Sequence, residues 1–282
     1  MKNSTGDVLG DAPWIIEVMK DWLKQLLPGW LQYLIYRFLW DPVRKTVWRL
    51  LGLECTLRSG IRVRVLSHPD WVIYNEVIVN GEYDTVICET LDKCTSQSSL
   101  RVVDLGANVG YFSFRFADLF IQRGHDNQDL QMTLIEGSPI VFEQLKQRVQ
   151  AEPFLRSRAR LVNGLAGKKE GGAYIDQGYV HYGHGASSNR SWGSRFVPYV
   201  DLTKVLNDSS PIDLLKCDIE GAEFDLIDNY GELLKNVSAA IIEFHYYGRD
   251  AGRAKAQIQA LGFQSPEVLS AVHPCSVEFF RR

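Results

Sequence analysis

The side chains best suited to chemistry in this sequence fall at the ends of short apolar runs. Asp104 follows the run Val102-Val103 and precedes Gly106 and Gly110, in the spacing Asp-x-Gly-x-x-x-Gly. A glycine at the first of these positions lets the backbone turn and approach a ligand with no Cβ in the way. A pyrophosphate-binding turn reads Gly-x-Gly-x-x-Gly instead and seats its anion over a helix N-terminus. The acid two residues before Gly106 would repel that anion; it suits a ligand carrying an ammonium group and hydroxyls. Glu136 ends a second run, where it can accept hydrogen bonds from a pair of hydroxyls. Asp218, Glu220 and Glu223 follow a third, and Glu243 and His245 close a fourth. Glu243 and His245 stand two apart, so on a strand they share one face. Histidine titrates near neutrality and can act as a base, and a carboxylate beside it would hold its tautomer and raise its basicity. Such a set could also hold a divalent metal; that reading ranks second, and no metal is assigned. Negative charge at a helix N-terminus is favourable in itself, which accounts for most of the reading of Glu223.

These residues need a scaffold in which several runs end side by side. Leu100–Leu105, Gln131–Glu136, Arg160–Asn163, Ile212–Asp218 and Ala239–Phe244 read as strands, with a closing strand at Val277–Phe280. Tyr111–Gln122, Ile140–Val149, Glu220–Tyr230 and Ala251–Leu261 read as helices, the second capped by Ser138 with Pro139 in its first turn. Strands alternating with helices predict a doubly wound, mainly parallel sheet, whose ligands bind outside the carboxyl ends of the strands. Lys216, unusual inside a strand, is expected to pair with one of the acids. Upstream, Leu53–Tyr83 reads as β-rich. Thr56, Ile61, Val63 and Val65 suggest a hairpin turning at Ser59-Gly60, and Trp71–Val79 precedes an Asn80-Gly81-Glu82-Tyr83 turn. Ala173–Tyr182 reads as a hairpin insertion and His184–Ser194 as a glycine- and serine-rich loop.

Four segments carry a resemblance: Val103–Gly110, Leu134–Pro139, Leu215–Glu223 and Ile241–His245. In this order they resemble the motifs of the FkbM family of class I S-adenosylmethionine-dependent methyltransferases, over roughly Leu53 to the C-terminus. The resemblance implies an α/β fold, a Rossmann-like sheet that is mostly parallel with an antiparallel last strand. It implies S-adenosylmethionine as cofactor, met by Asp104, Gly106, Asn108, Gly110, Tyr111, Phe112, Glu136, Gly137, Ser138, Asn163 and Asp218. Asp104 and Gly106 would cradle its methionine portion, Glu136 its ribose and Asn163 its adenine; Asn108 either bonds the ligand or its own loop. In the class I fold the fourth and fifth strands are neighbours, so Asp218, Glu220, Glu243 and His245 should converge near the transferred methyl group, with His245 as base. Tyr83 and His184 are candidate substrate contacts. The expected activity is O-methylation of a small hydroxyl-bearing acceptor, a sugar or natural product. A nicotinamide oxidoreductase is disfavoured by the missing Gly-x-Gly-x-x-Gly. A catalytically idle module of the same fold, docking a partner or membrane surface, is the alternative from a different class.

The chain has 282 residues, 45% hydrophobic and 23% charged, ordinary for a globular protein. A net charge of −3 gives no reason to expect a nucleic-acid partner. Five cysteines without a Cys-x-x-Cys pair read as reduced thiols in a cytoplasmic setting. Three organisational segments follow: helices over 1–52, a lead-in over 53–99 and the cofactor-binding core over 100–282. Five of the seven tryptophans lie between Trp14 and Trp48, in amphipathic helices. They are expected to cap the core or contact a partner through residues 14–51. A membrane-peripheral contact is the rival, and no run is long enough to span a bilayer.

Overall fold

The computed structural model describes residues 28, 38, 41–94, 99–176, 194–206, 210–272 and 274–282. The helices expected before residue 41, and His184 with most of its loop, lie outside the described residues. The chain divides into two compact units, Met1–Leu53 and Glu54–Arg282. In the first, α1 (Asp41–Leu51) is the short helix expected over Val43–Leu51.

The expected hairpin is present as β1 (Leu53–Thr56) and β2 (Arg62–Val65), with Gly60 at φ +93° in its turn. The rest of the lead-in is helical, which corrects the β reading of Trp71–Val79: α2 (His68–Tyr74) runs into a single π turn, Asn75–Val79, and α3 (Asp84–Asp92) follows. The apolar, β-branched run is overruled at its start. Ser67 caps α2 by accepting the Asp70 N–H at 3.1 Å, and Pro69 presets the first turn. Ser67→Ala should therefore cost about 1 kcal/mol in chemical denaturation; an unchanged midpoint would show that packing alone fixes this helix.

The core alternates as expected. In chain order come β3 (Leu100–Leu105), α4 (Tyr111–Gln122), β4 (Leu130–Glu136), α5 (Pro139–Ala151), the single turn α6 (Pro153–Arg156) and β5 (Ala159–Asn163). After β6 (Gly172–Asp176), β7 (Ser194–Pro198) and α7 (Leu202–Val205) come β8 (Ile212–Cys217), α8 (Glu223–Asn229), α9 (Gly231–Leu234), β9 (Val237–His245), α10 (Ala251–Ala260), β10 (Glu267–Val272) and β11 (Cys275–Arg281). The seven-stranded sheet has the order β10-β11-β9-β8-β3-β4-β5. The pairs from β9 to β5 are parallel; β11 is antiparallel to β9 and β10 to β11. β3 and β8 are buried on both faces, as their near-continuous apolar sequences require.

β6 pairs antiparallel with β7, Tyr174 meeting Phe196 edge-on at 5.5 Å across the pair, and the rest of the hairpin expected over Ala173–Tyr182 lies outside the described residues. One expectation is corrected. The helix expected from Glu220 starts at Glu223, because Glu220 (φ +55°) and Gly221 (φ +97°) are left-handed.

The lead-in is bonded onto the core by side chains of the helices. Asp118 of α4 accepts the Ser59 N–H (3.0 Å), and Glu152 accepts that of Arg62 (3.1 Å). Arg148 of α5 donates to the Arg64 carbonyl (2.9 Å) and to buried Asp70 (2.6 Å). The chain leaves β3 for β4 and β5 on one side and returns to β8 on the other. That reversal opens a crevice at the carboxyl ends of β3 and β8, the place where such sheets bind ligands.

Candidate active site

The floor of the crevice is the turn after β3. Gly106 has φ +74°, and a Cβ there would lie 1.7 Å from the Asp218 carbonyl oxygen. The glycine is thus demanded by a neighbouring strand end, whereas the sequence suggested ligand approach. Asn108 is also left-handed (φ +49°), and its Oδ1 accepts the Val109 N–H at 2.8 Å. Gly110 begins α4 at φ +98°, and a Cβ there would meet Leu145 at 2.8 Å. Tyr111 and Phe112 are buried. The Tyr111 hydroxyl donates to the Arg64 carbonyl (2.8 Å), and Phe112 packs edge-on against buried Tyr83 (5.4 Å).

Glu136 ties two turns together. One carboxyl oxygen accepts the Asn108 N–H (2.9 Å) and the other the Ser138 N–H (2.7 Å). Burial pushes its pKa up to about 7, against the lowering effect of those two N–H groups. Ser138 caps α5 as expected, its Oγ accepting from Val141 N–H at 3.4 Å. Gly137 leaves room for Leu165, and the Asn163 amide donates to the carbonyls of Glu136 (2.8 Å) and Gly137 (3.2 Å).

Lys216 does pair with acids, and with two of them. Its buried ammonium donates to the Gly106 carbonyl (3.0 Å) and to Asp218 (3.2 Å), and lies 3.7 Å from Asp104. Burial alone would lower its pKa; Asp218 and Asp104 more than offset that and raise it. Asp104 is fully buried and accepts from Ser113 Oγ (3.0 Å), while its Oδ1 has no hydrogen-bond partner.

The carboxyl ends of β8 and β9 bring the remaining acids together around His245. Its Nδ1 lies 3.1 Å from Glu223 Oε1; its Nε2 lies 3.3 Å from Glu220 and 3.8 Å from Glu243. Glu223 does more than complement a helix dipole. It is fully buried, and Oε1 also accepts the N–H groups of Ile219 (3.1 Å) and Gly221 (3.0 Å). A carboxylate oxygen that already accepts two N–H groups accepts from Nδ1–H as well, which leaves Nε2 turned towards Glu220 and Glu243. Burial would lower the His245 pKa, but Glu223 and then Glu220 raise it to about 9. The Glu243 carboxyl is pushed up to about 8, by burial first and by Asp218 next. The Tyr247 ring stacks on the imidazole at 5.9 Å.

Glu82 was not singled out by sequence reasoning. Its carboxyl is raised by burial, then by Glu76 and Asp218. Its signal was its place next to Tyr83 in the Asn-Gly-Glu-Tyr turn. Two overlapping donor sets are tight enough to share a cation: Asp218, Glu220 and His245, and Glu243, His245 and Cys275, each with its atoms within 4.8 Å of one another.

A family model described as Methyltransferase FkbM domain matches residues 104–265, more than half of the chain. The chain belongs to the FkbM methyltransferase family. Among solved structures it is similar to the methyltransferase FkbM from Methylobacillus flagellatus KT, with 16% identity over 67% of this chain and 45% of that one and a TM-score of 0.42. It is also similar to magnesium protoporphyrin IX methyltransferase from Synechocystis PCC 6803 with bound SAM (12%, 89% and 95%, TM-score 0.44). A third is precorrin-6y C5,15-methyltransferase from Geobacter metallireducens GS-15 (14%, 70% and 86%, TM-score 0.40). No curated protein matches the chain.

An FkbM methyltransferase uses S-adenosylmethionine, which carries a sulfonium, an ammonium, a carboxylate and a ribose diol. The donor chemistry of the crevice fits it. Asp104 and Asp218 lie beside Lys216, and Glu220 and Glu243 beside His245, so the crevice is lined mainly by carboxyl acceptors, with Glu136 among them. Asp104 Oδ1, 3.7 Å from the Lys216 ammonium but accepting no hydrogen bond, is a buried acceptor with bonding capacity left.

Proposed function

We propose that this FkbM methyltransferase methylates a hydroxyl oxygen of a small-molecule acceptor, with His245 as the general base. The observation that carries the reading is the bond between His245 Nδ1 and buried Glu223, which directs Nε2 into the carboxylate-lined crevice. A hydroxyl is a poor nucleophile at neutral pH, so its proton must leave as the new bond forms. Nε2 would take that proton. Glu223 keeps the ring oriented, and Glu220 and Glu243 stabilise the imidazolium that results. S-adenosylmethionine, when bound, supplies an activated methyl group, and positioning accounts for much of the remaining rate.

In this reading Asp104 and Gly106 line the methionine end, with Asn108, Gly110, Tyr111 and Phe112 shaping the turn around it. Glu136 accepts the ribose hydroxyls through the lone pairs its backbone bonds leave over. Gly137, Ser138 and Asn163 border the adenine side, and Asp218 lies nearest the sulfonium. Tyr83 lines the acceptor side through the groups around it. An acid-rich mouth repels phosphate, which favours a small acceptor over nucleic acid. The five free thiols suit a reducing, cytoplasmic setting. Among the described residues no helix is long and apolar enough to cross a membrane.

Calorimetry with S-adenosylhomocysteine tests the cofactor site. Binding of that product, with no response to NAD, is expected. Glu136→Gln should weaken it by about 1–3 kcal/mol, because an amide cannot accept both backbone N–H groups and a diol as well. Unchanged affinity in the folded variant would remove Glu136 from the site. Loss of activity to a chelator, restored by magnesium, would turn the acids and His245 into metal ligands and overturn the base assignment.

A further inference from the structure

The amino ends of β3, β4 and β5 carry a different set of side chains. A groove of about 460 Å³ opens there, lined by Arg101, Gln131, Thr133, Ser157, Arg158 and Arg160 together with apolar side chains. The parallel register sets Arg101 beside Gln131 and Thr133 beside Arg160, so four polar side chains stand on one face of three adjacent strands. Among the described residues the lining holds three guanidinium groups and no carboxylate, and Asp129 beside it accepts from the Gln131 amide at 3.1 Å.

Arg158 and Arg160 are held in place by neutral acceptors. Arg160 donates to the Val205 carbonyl (2.6 Å). Arg158 donates to the Phe154 carbonyl (3.4 Å), to Ser157 Oγ (3.2 Å) and to the Asp126 carbonyl (3.4 Å). Arg101 donates to the carbonyls of Ser210 (2.9 Å) and Leu206 (2.5 Å), and its backbone N–H is bonded to Asp213. Among the described residues, neither Arg158 nor Arg160 has a carboxylate within ion-pair distance. The guanidinium groups of Arg158 and Arg160 each have five N–H donors, so donors remain after these bonds. Carbonyl bonds fix the forks without neutralising them, the state in which arginine best meets a phosphate. The volume falls within the usual range for a small-molecule site.

We infer that this groove is a second ligand site, separate from the acid-lined crevice, which binds a soluble phosphate-bearing molecule through Arg158 and Arg160. The site does not depend on the methyl-transfer reading, since it lies at the opposite ends of the strands. Calorimetry of the full-length protein with inorganic pyrophosphate at low ionic strength tests it. Saturable binding that weakens as salt is added is expected, and the double variant Arg158→Ala, Arg160→Ala should weaken it tenfold or more. That variant also removes the bond to Val205, so Ser157→Glu is measured beside it. This exposed substitution keeps both guanidinium groups and brings a carboxylate to Arg158. The same loss is expected, with a melting temperature equal to that of the parent. Absence of saturable binding, or an affinity for pyrophosphate that Ser157→Glu leaves unchanged, would overturn the site.

Discussion

Replacing His245 by alanine should lower turnover by about 10²–10⁴-fold, the usual contribution of a positioned general base, while S-adenosylhomocysteine binds nearly as before. The effect is expected on catalysis because the ring points a single nitrogen into the crevice, Nδ1 being committed to Glu223 at 3.1 Å. The pH profile carries the sign. Burial depresses the imidazole's basicity and the surrounding carboxylates, Glu223 first, raise it by more, to about 9. The neutral form that accepts a proton therefore gains as pH rises, so turnover should climb towards pH 9 and level off above it. Glu223→Gln removes the largest raising influence and should move the profile to lower pH. Full turnover by His245→Ala with its true acceptor would make the histidine structural.

Gly106→Ala should be the most damaging small substitution for the fold. A Cβ would lie 1.7 Å from the Asp218 carbonyl oxygen, which no rotamer change can relieve, at a φ of +74°. A left-handed residue with a Cβ costs about 1–2 kcal/mol, and overpacking typically adds about 1–3 kcal/mol. Urea denaturation should show a loss of roughly 2–5 kcal/mol from these two sources. Gly124→Ala is a suitable control, since that glycine is also left-handed (φ +77°) but has open space at the Cβ position. Equal losses at both sites would mean that backbone conformation alone, and not the contact with β8, sets the requirement for glycine.

The strands that carry the site could be read from the sequence because parallel strands buried on both faces are nearly all apolar. An acid at the end of such a run, as at Glu136 or Asp218, has little reason to be there except chemistry or a cap. Contacts between distant segments had no such signature. Nothing local to Gly106 shows that a carbonyl from residue 218 presses against it, nor that the Tyr111 hydroxyl reaches back to Arg64. Glu223 looked like an ordinary first-turn acid, since periodicity gives a side chain's face but not the three donors that meet on one oxygen. Trp71–Val79 has strand composition, and only the serine and proline before it tell otherwise. β10 was missed because its residues are largely exposed and show no buried alternation.

The order of strands has a consequence for how this molecule is made. β3 is central, yet one of its neighbours, β8, lies about 110 residues further on, as the bond from Lys216 to Gly106 records. A ribosome adding about 5–20 residues per second would leave that flank of β3 bare for roughly 5–20 s. In that interval β3, β4 and β5 can pair, but their sheet ends in an open edge able to recruit another strand. The acidic crevice does not yet exist, because Asp218, Glu220, Glu243 and His245 all arrive with or after β8. Ligand binding can thus stabilise only the finished sheet. Protection of the half-made one falls to charge, to chaperones and to the speed with which β8 slots in beside β3.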